Sequence, residues 1–172
     1  MERILTDILC TRCGLCCDGS LFADVELGGR AEATRLEAMG LEIEDEEGSR
    51  PLLLQPCAAL QGKRCGIYAH RPGCCRTFEC RLLQDVRRGT ESVERALEQI
   101  AAAQGKLGRV RELMGGPVRG DTRLPLAERV AEALAADAGT HPEAKRGHAE
   151  LEAAMSDATE TIRRTFLDGR EA

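Results

Sequence analysis

The cysteines constrain this chain more than any other feature. Nine occur in 172 residues, all between Cys10 and Cys80. The first four are packed as Cys10-Thr-Arg-Cys13-Gly-Leu-Cys16-Cys17, and Cys57, Cys65, Cys74, Cys75 and Cys80 follow. Buried cysteines are common singly, but two CxxC steps in series and two CysCys pairs are hard to read as unrelated core residues. A disulfide framework suits short secreted chains. The opening Met1–Cys10 has an acid at position 2 and no long apolar h-region, so it does not read as an export signal. Metal ligation is the favoured reading, since free thiols persist in the reducing cytosol. The expected location is therefore cytoplasmic.

Composition agrees with that reading. Aromatic residues make up only 2% of the chain: Phe22, Tyr68, Phe78 and Phe166, with no Trp. Three of the four fall in the cysteine-rich part, which has a thin core and needs a staple. The net charge is −5. With no basic patch to neutralise phosphates, nucleic acid is excluded as a partner. No apolar run reaches about 18 residues, so no membrane span is expected.

A CxxC loop folds back and aims two sulfurs at one point, about 2.3 Å from a zinc ion. Cys10, Cys13 and Cys16 repeat the step, so three thiolates can face one centre. The ferredoxin run C-x2-C-x2-C-x3-C-P begins the same way, but here Ser20-Leu21 stand where its Cys-Pro would be. Cys16 and Cys17 are adjacent, and adjacent side chains tend to point apart. This suggests two metal centres or one bridged centre, and it tilts the reading toward an iron–sulfur cluster over a simple zinc knuckle. Eight thiolates on two zinc ions would carry a net charge of about −4. Arg12, Lys63, Arg64, Arg71, Arg76 and Arg81 lie beside cysteines and could offset it. Cys75 or Cys80, near a helix start, would gain from the helix dipole. His70 is a spare donor. His141 and His148 read as solvated loop residues, and the acidic run 44–47 as a solvated hairpin tip.

Residues 10–17 are expected to form a tight knuckle around Gly14. Leu21 to Leu27 reads as a strand, Arg30 to Met39 as a helix closed by Gly40, and 41–44 and 51–55 as two strands around a turn. Turns are expected at 61–63 and 71–73, and a helix from near Thr77 to Arg88. Beyond Gly89 the chain reads as helical. One stripe runs over 92–114, interrupted by Gly105 and Gly108; a second helix covers 126–137 and a third 149–167. Leu151, Met155, Ala158, Ile162 and Phe166 share one face of the third, and that face should be buried.

Cys10-x2-Cys13-Gly14-x-Cys16-Cys17, Pro56-Cys57 and Cys65-x-Ile67-Tyr68-x2-Arg71-Pro72-x2-Cys75-Arg76-x-Phe78-x-Cys80 together resemble the CxxCxxCC, or YkgJ-type, cysteine-cluster family. That family is described as chelating zinc or iron. The resemblance implies that Cys10, Cys13, Cys16, Cys17, Cys57, Cys65, Cys75 and Cys80 are the metal ligands, with Cys74 left over. It implies that Tyr68, Arg71, Pro72 and Arg76 shape and charge-balance the site. Some larger relatives are flagellin lysine methylases; no glycine-rich nucleotide loop stands out here, so that activity does not carry over.

The expected fold class is α+β: a small cysteine-rich metal-binding domain with short strands over 1–88, then a helical region over 89–172. The expected function is metal binding, by an iron–sulfur cluster or zinc, in a redox or enzyme-associated protein. The alternative is a structural-zinc module without catalysis of its own. The helices pack on the first part, on a second copy or on a protein partner.

Overall fold

The computed structural model describes residues 2–115, 123–136 and 142–168. His141 and Asp137, the last residue of the helix expected over 126–137, lie outside them. The chain is mixed α+β, with small antiparallel sheets and a helical C-terminal region.

Helix α1 spans Glu2–Cys13. Its apolar positions Leu5, Ile8 and Leu9 follow the i, i+3, i+4 rule and pack into the core. Gly14 ends it: with φ +73°, it takes the left-handed conformation that terminates helices, and its N–H bonds the Cys10 carbonyl. The expected knuckle is thus half helix. Cys10 and Cys13 lie in the last turn of α1, and only Cys16 and Cys17 belong to the turn beyond it.

Strand β1 (Asp24–Glu26) leads to α2 (Arg30–Glu37), β2 (Ile43–Glu44) and β3 (Leu52–Leu54). The sheet order is β1-β3-β2, all antiparallel, with Val25 and Ile43 both opposite Leu53. Residues 44–47 are exposed at the hairpin tip, where Asp45 pairs with Arg30. A second hairpin joins β4 (Leu60–Gln61) to β5 (Arg64–Cys65). A 3-10 turn, Tyr68–His70, and the short helix α3 (Gly73–Thr77) follow. The helix expected from near Thr77 to Arg88 starts later, as α4 (Arg81–Arg87), and the short α3 before it, which ends at an extended Phe78, is a helix the sequence did not show.

Helix α5 (Val93–Leu113) is capped by Ser92, whose side chain accepts from the Arg95 N–H. Gly105 and Gly108 do not break it. Each costs about 1 kcal/mol of helix propensity, which the burial of Ala103, Leu107 and Val110 outweighs. Helix α6 is Leu126–Ala136, and α7 is Pro142–Ile162, continued by a π-helical turn Arg163–Leu167. Helix α7 starts earlier than its pattern suggested, so His148 is helical and half-buried, not in a loop.

The apolar side chains form two clusters. One joins α1, Leu15, α4, α5, α6 and α7, and Leu151, Ala158, Ile162 and Phe166 are buried in it as expected. Met155 is half-buried against it. The other is smaller: Leu27, Ala33, Leu36, Leu41 and Leu53, from α2 and the three-stranded sheet. Cys13 and Cys80 pack on the first cluster, Cys57 and Cys74 on the second. These four cysteines thus flank the seam between the two clusters.

Candidate metal centre

The ligand turn is built by its neighbours. Cys10 and Cys13, three residues apart, are neighbours on one helix face. After Gly14, the Cys17 N–H bonds the Gly14 carbonyl and the Leu21 N–H bonds the Leu15 carbonyl, closing a compact loop. A β-carbon on Gly14 would stand 3.3 Å from the Lys63 backbone, so the β4–β5 hairpin lies directly on this turn. Asp18 accepts from the Ser20 N–H and pairs with Arg111 of α5 at 3.3 Å. The Gln104 side-chain amide, also from α5, donates to the carbonyls of Arg12 and Cys13. Gln104 and Arg111 were not singled out from the sequence. Both fall on the face of the apolar stripe 93, 97, 100, 107, 110 and 114, where a polar residue was the available signal.

The later cysteines come from other elements. The Cys57 N–H bonds the Cys17 carbonyl at 2.8 Å, and the Cys57 carbonyl accepts from the Leu60 N–H at 2.9 Å. Leu60 pairs with Cys65 across the hairpin. Cys75 lies inside α3, and Cys80 is the residue preceding α4. Phe22 and Phe78 meet edge to face, ring centres 5.1 Å apart, and brace the segment between Cys75 and Cys80. Arg71 lies 3.8 Å over the Tyr68 ring and donates to the Tyr68 and Cys75 carbonyls. Arg76 donates to the carbonyls of Arg71 and Ala69, and Pro72 is fully buried. His70 is exposed on its 3-10 turn. Glu32 of α2 accepts from the N–H groups of Gly28 and Gly73, tying α2 to the start of α3.

All nine cysteines are free thiols; Cys10 is exposed and the others are half-buried. Desolvation dominates their acidity. It pushes Cys13 and Cys17 up to about 12 and Cys16 well above the ordinary thiol value, with neighbouring thiols adding to the rise. Cys10 goes up to about 11, by desolvation and then Cys80, against the attraction of Arg71 and Arg87. Cys57 rises for the same first reason. Cys74 and Cys75 have sulfurs 4.0 Å apart; their contact favours ionising Cys74, down to about 7, and opposes ionising Cys75.

This donor chemistry fits a soft metal. Crowded, sheltered thiols that resist ionisation alone are those that a cation converts to thiolates, with release of protons. Among the described residues, no three Cys, His, Asp or Glu side chains already stand as a closed cage, so closing one takes movement of the side chains. Also among the described residues, no helix is long and apolar enough to cross a membrane.

Free thiols flanking two apolar clusters are an arrangement suited to soft-metal chelation. The chain belongs to the CxxCxxCC family: the model of that family, "Putative zinc- or iron-chelating domain", matches residues 9–100, more than half of the 172. No curated protein and no solved structure matches the chain.

Proposed function

We propose that this chain is a cytoplasmic metal protein in which Cys10, Cys13, Cys16, Cys17, Cys57, Cys65, Cys75 and Cys80 hold an iron–sulfur cluster or zinc, in a redox or enzyme-associated role. The observation that carries this reading is that free thiols from separate segments flank the same two apolar clusters, Cys13 and Cys80 on one and Cys57 and Cys74 on the other, with the Cys57 N–H bonded to the Cys17 carbonyl. In this reading residues 1–88 supply every ligand, and residues 89–172 are the brace that holds the ligand turn. A reducing compartment suits thiols that are all free.

The structural-zinc alternative has its own support. The seam joins two small apolar clusters, and a metal there would staple them. An open apolar depression lined by Val130, Leu134 and Met155 would then be where a second copy or a protein partner docks on the C-terminal helices.

Anaerobic purification, a visible spectrum and metal analysis test the proposal. Iron with sulfide and broad visible absorption that bleaches on reduction supports the redox reading. Zinc without visible absorption supports the alternative. A chain that holds neither metal as isolated or after reconstitution overturns both.

A further inference from the structure

We propose that the eight thiols form two separate four-thiolate centres: Cys10, Cys13, Cys16 and Cys80 hold one metal ion or cluster, and Cys17, Cys57, Cys65 and Cys75 hold another. This rests on the reading above that these cysteines are the ligands.

The backbone assigns most members. Cys10 and Cys13 share the last turn of α1, which packs against α4, the helix that Cys80 precedes. Cys13 and Cys80 both pack on the larger, helical cluster. The second set belongs to the other side of the seam. Cys57 is hydrogen-bonded to Cys17 through the main chain, and Leu60 links Cys57 to Cys65. Cys57 packs on the smaller cluster, and so does Cys74, the neighbour of Cys75.

Electrostatics divides the thiols the same way. Cys10 feels Cys80; Cys13 feels Cys80 and Cys10; Cys16 feels Cys13, Cys80 and Cys10. Cys17 feels Cys57 and Cys65, Cys57 feels Cys65, and Cys75 feels Cys17 and Cys57. The link between the sets is Cys16 with Cys17, joined by one peptide bond. Adjacent side chains tend to point apart, and Cys16 and Cys17 are assigned to different centres on that ground. The Arg71 charge acts on a member of each, Cys10 and Cys17. One guanidinium thus offsets part of the negative charge of both.

Two four-thiolate centres make distinct claims about metal count and ligand identity. The test is titration of the full chain with cadmium or cobalt(II), read by bound metal per chain and by cadmium NMR. Two equivalents and two cadmium resonances in the all-sulfur range, without cadmium–cadmium splitting, are expected. Cys16→Ser should remove or shift one resonance and Cys17→Ser the other. Cys13→Ser and Cys80→Ser should follow Cys16→Ser; Cys57→Ser and Cys65→Ser should follow Cys17→Ser. A double replacement within one set should cost one equivalent and leave the other resonance in place, whereas one across the sets should change both resonances. A single equivalent, a splitting that reports a bridging sulfur, or Cys16→Ser and Cys17→Ser acting on the same resonance would overturn the division. A wild-type chain that takes up no metal would sink the ligand reading itself. Should the variants fail to fold, resonance number and splitting in the wild type still decide.

Discussion

The side-chain amide of Gln104 lies 2.8 Å from the carbonyl oxygen of Cys13. It makes the same contact with Arg12 and accepts from the Lys63 ammonium. A residue on α5, outside the matched stretch 9–100, thus holds the end of α1, the ligand turn and the hairpin in one register.

Gln104→Ala should therefore weaken the site without touching a thiol. It leaves helix-end carbonyls without a donor, at about 1–2 kcal/mol. Chemical denaturation should show that loss, and metal competition should show weaker binding. Unchanged stability and affinity would mean that the amide only decorates the surface.

Cys74→Ser should keep its metal, whereas Cys75→Ser should lose some. After its contact with Cys74 and burial, Cys75 is acted on by Cys17 and Cys57, whereas Cys74 is acted on by its hydrogen bonds with Cys75 and by the Glu32 charge. The 4.0 Å between the two sulfurs is close to the roughly 3.8 Å edge of a tetrahedron with zinc-length bonds. Bound metal per chain separates the cases. Equal losses, or a larger one from Cys74→Ser, would make Cys74 a ligand.

Glu32 should give the chain an acid-sensitive tie. Its carboxyl sits below the ordinary value of 4.5, first because of the Gly28 N–H, then because of Gly73 and Arg35. A lowered folded value contributes stability that is present above 4.5 and is lost as pH falls through the folded value. The loss in Glu32→Gln should be below about 1 kcal/mol, because the carboxylate is open to water. The difference between wild type and variant should hold at neutral pH and vanish in acid. A constant difference across that range would contradict the role given to its charge.

Removing the metal should loosen the seam more than the helical cluster. Structural metal can contribute on the order of 10 kcal/mol in small domains, and the α2–sheet cluster has few large residues. Hydrogen exchange on the chelated chain should show opening across residues 14–80, with α5 and α7 still protected. Full retention of cooperative unfolding after chelation would argue against a structural metal.

The sequence made α2, the β2–β3 hairpin and α5 legible because each carries its own punctuation: Gly40, the turn at 46–49, Ser92. It hid α1 because the cysteines of its last turn looked like part of a knuckle, although Leu5, Ile8 and Leu9 with Gly14 carried a helix and its stop. It hid α3 because five residues, Gly73–Thr77, are too few to show a period. The adjacency of Cys16 and Cys17 suggests two metal centres or one bridged centre. Which later cysteine joins which of them depends on how the 18–80 segment returns to α1, and spacing alone does not encode that path.

Cys10 is the exposed cysteine of the nine, in the last turn of α1. A carrier, chelator or oxidant arriving from solvent would find that residue the most open of the nine. Metal handover would then begin by exchanging one thiolate at the rim. Replacing Cys10 should change how fast the chain gives up its metal more than it changes where the metal rests.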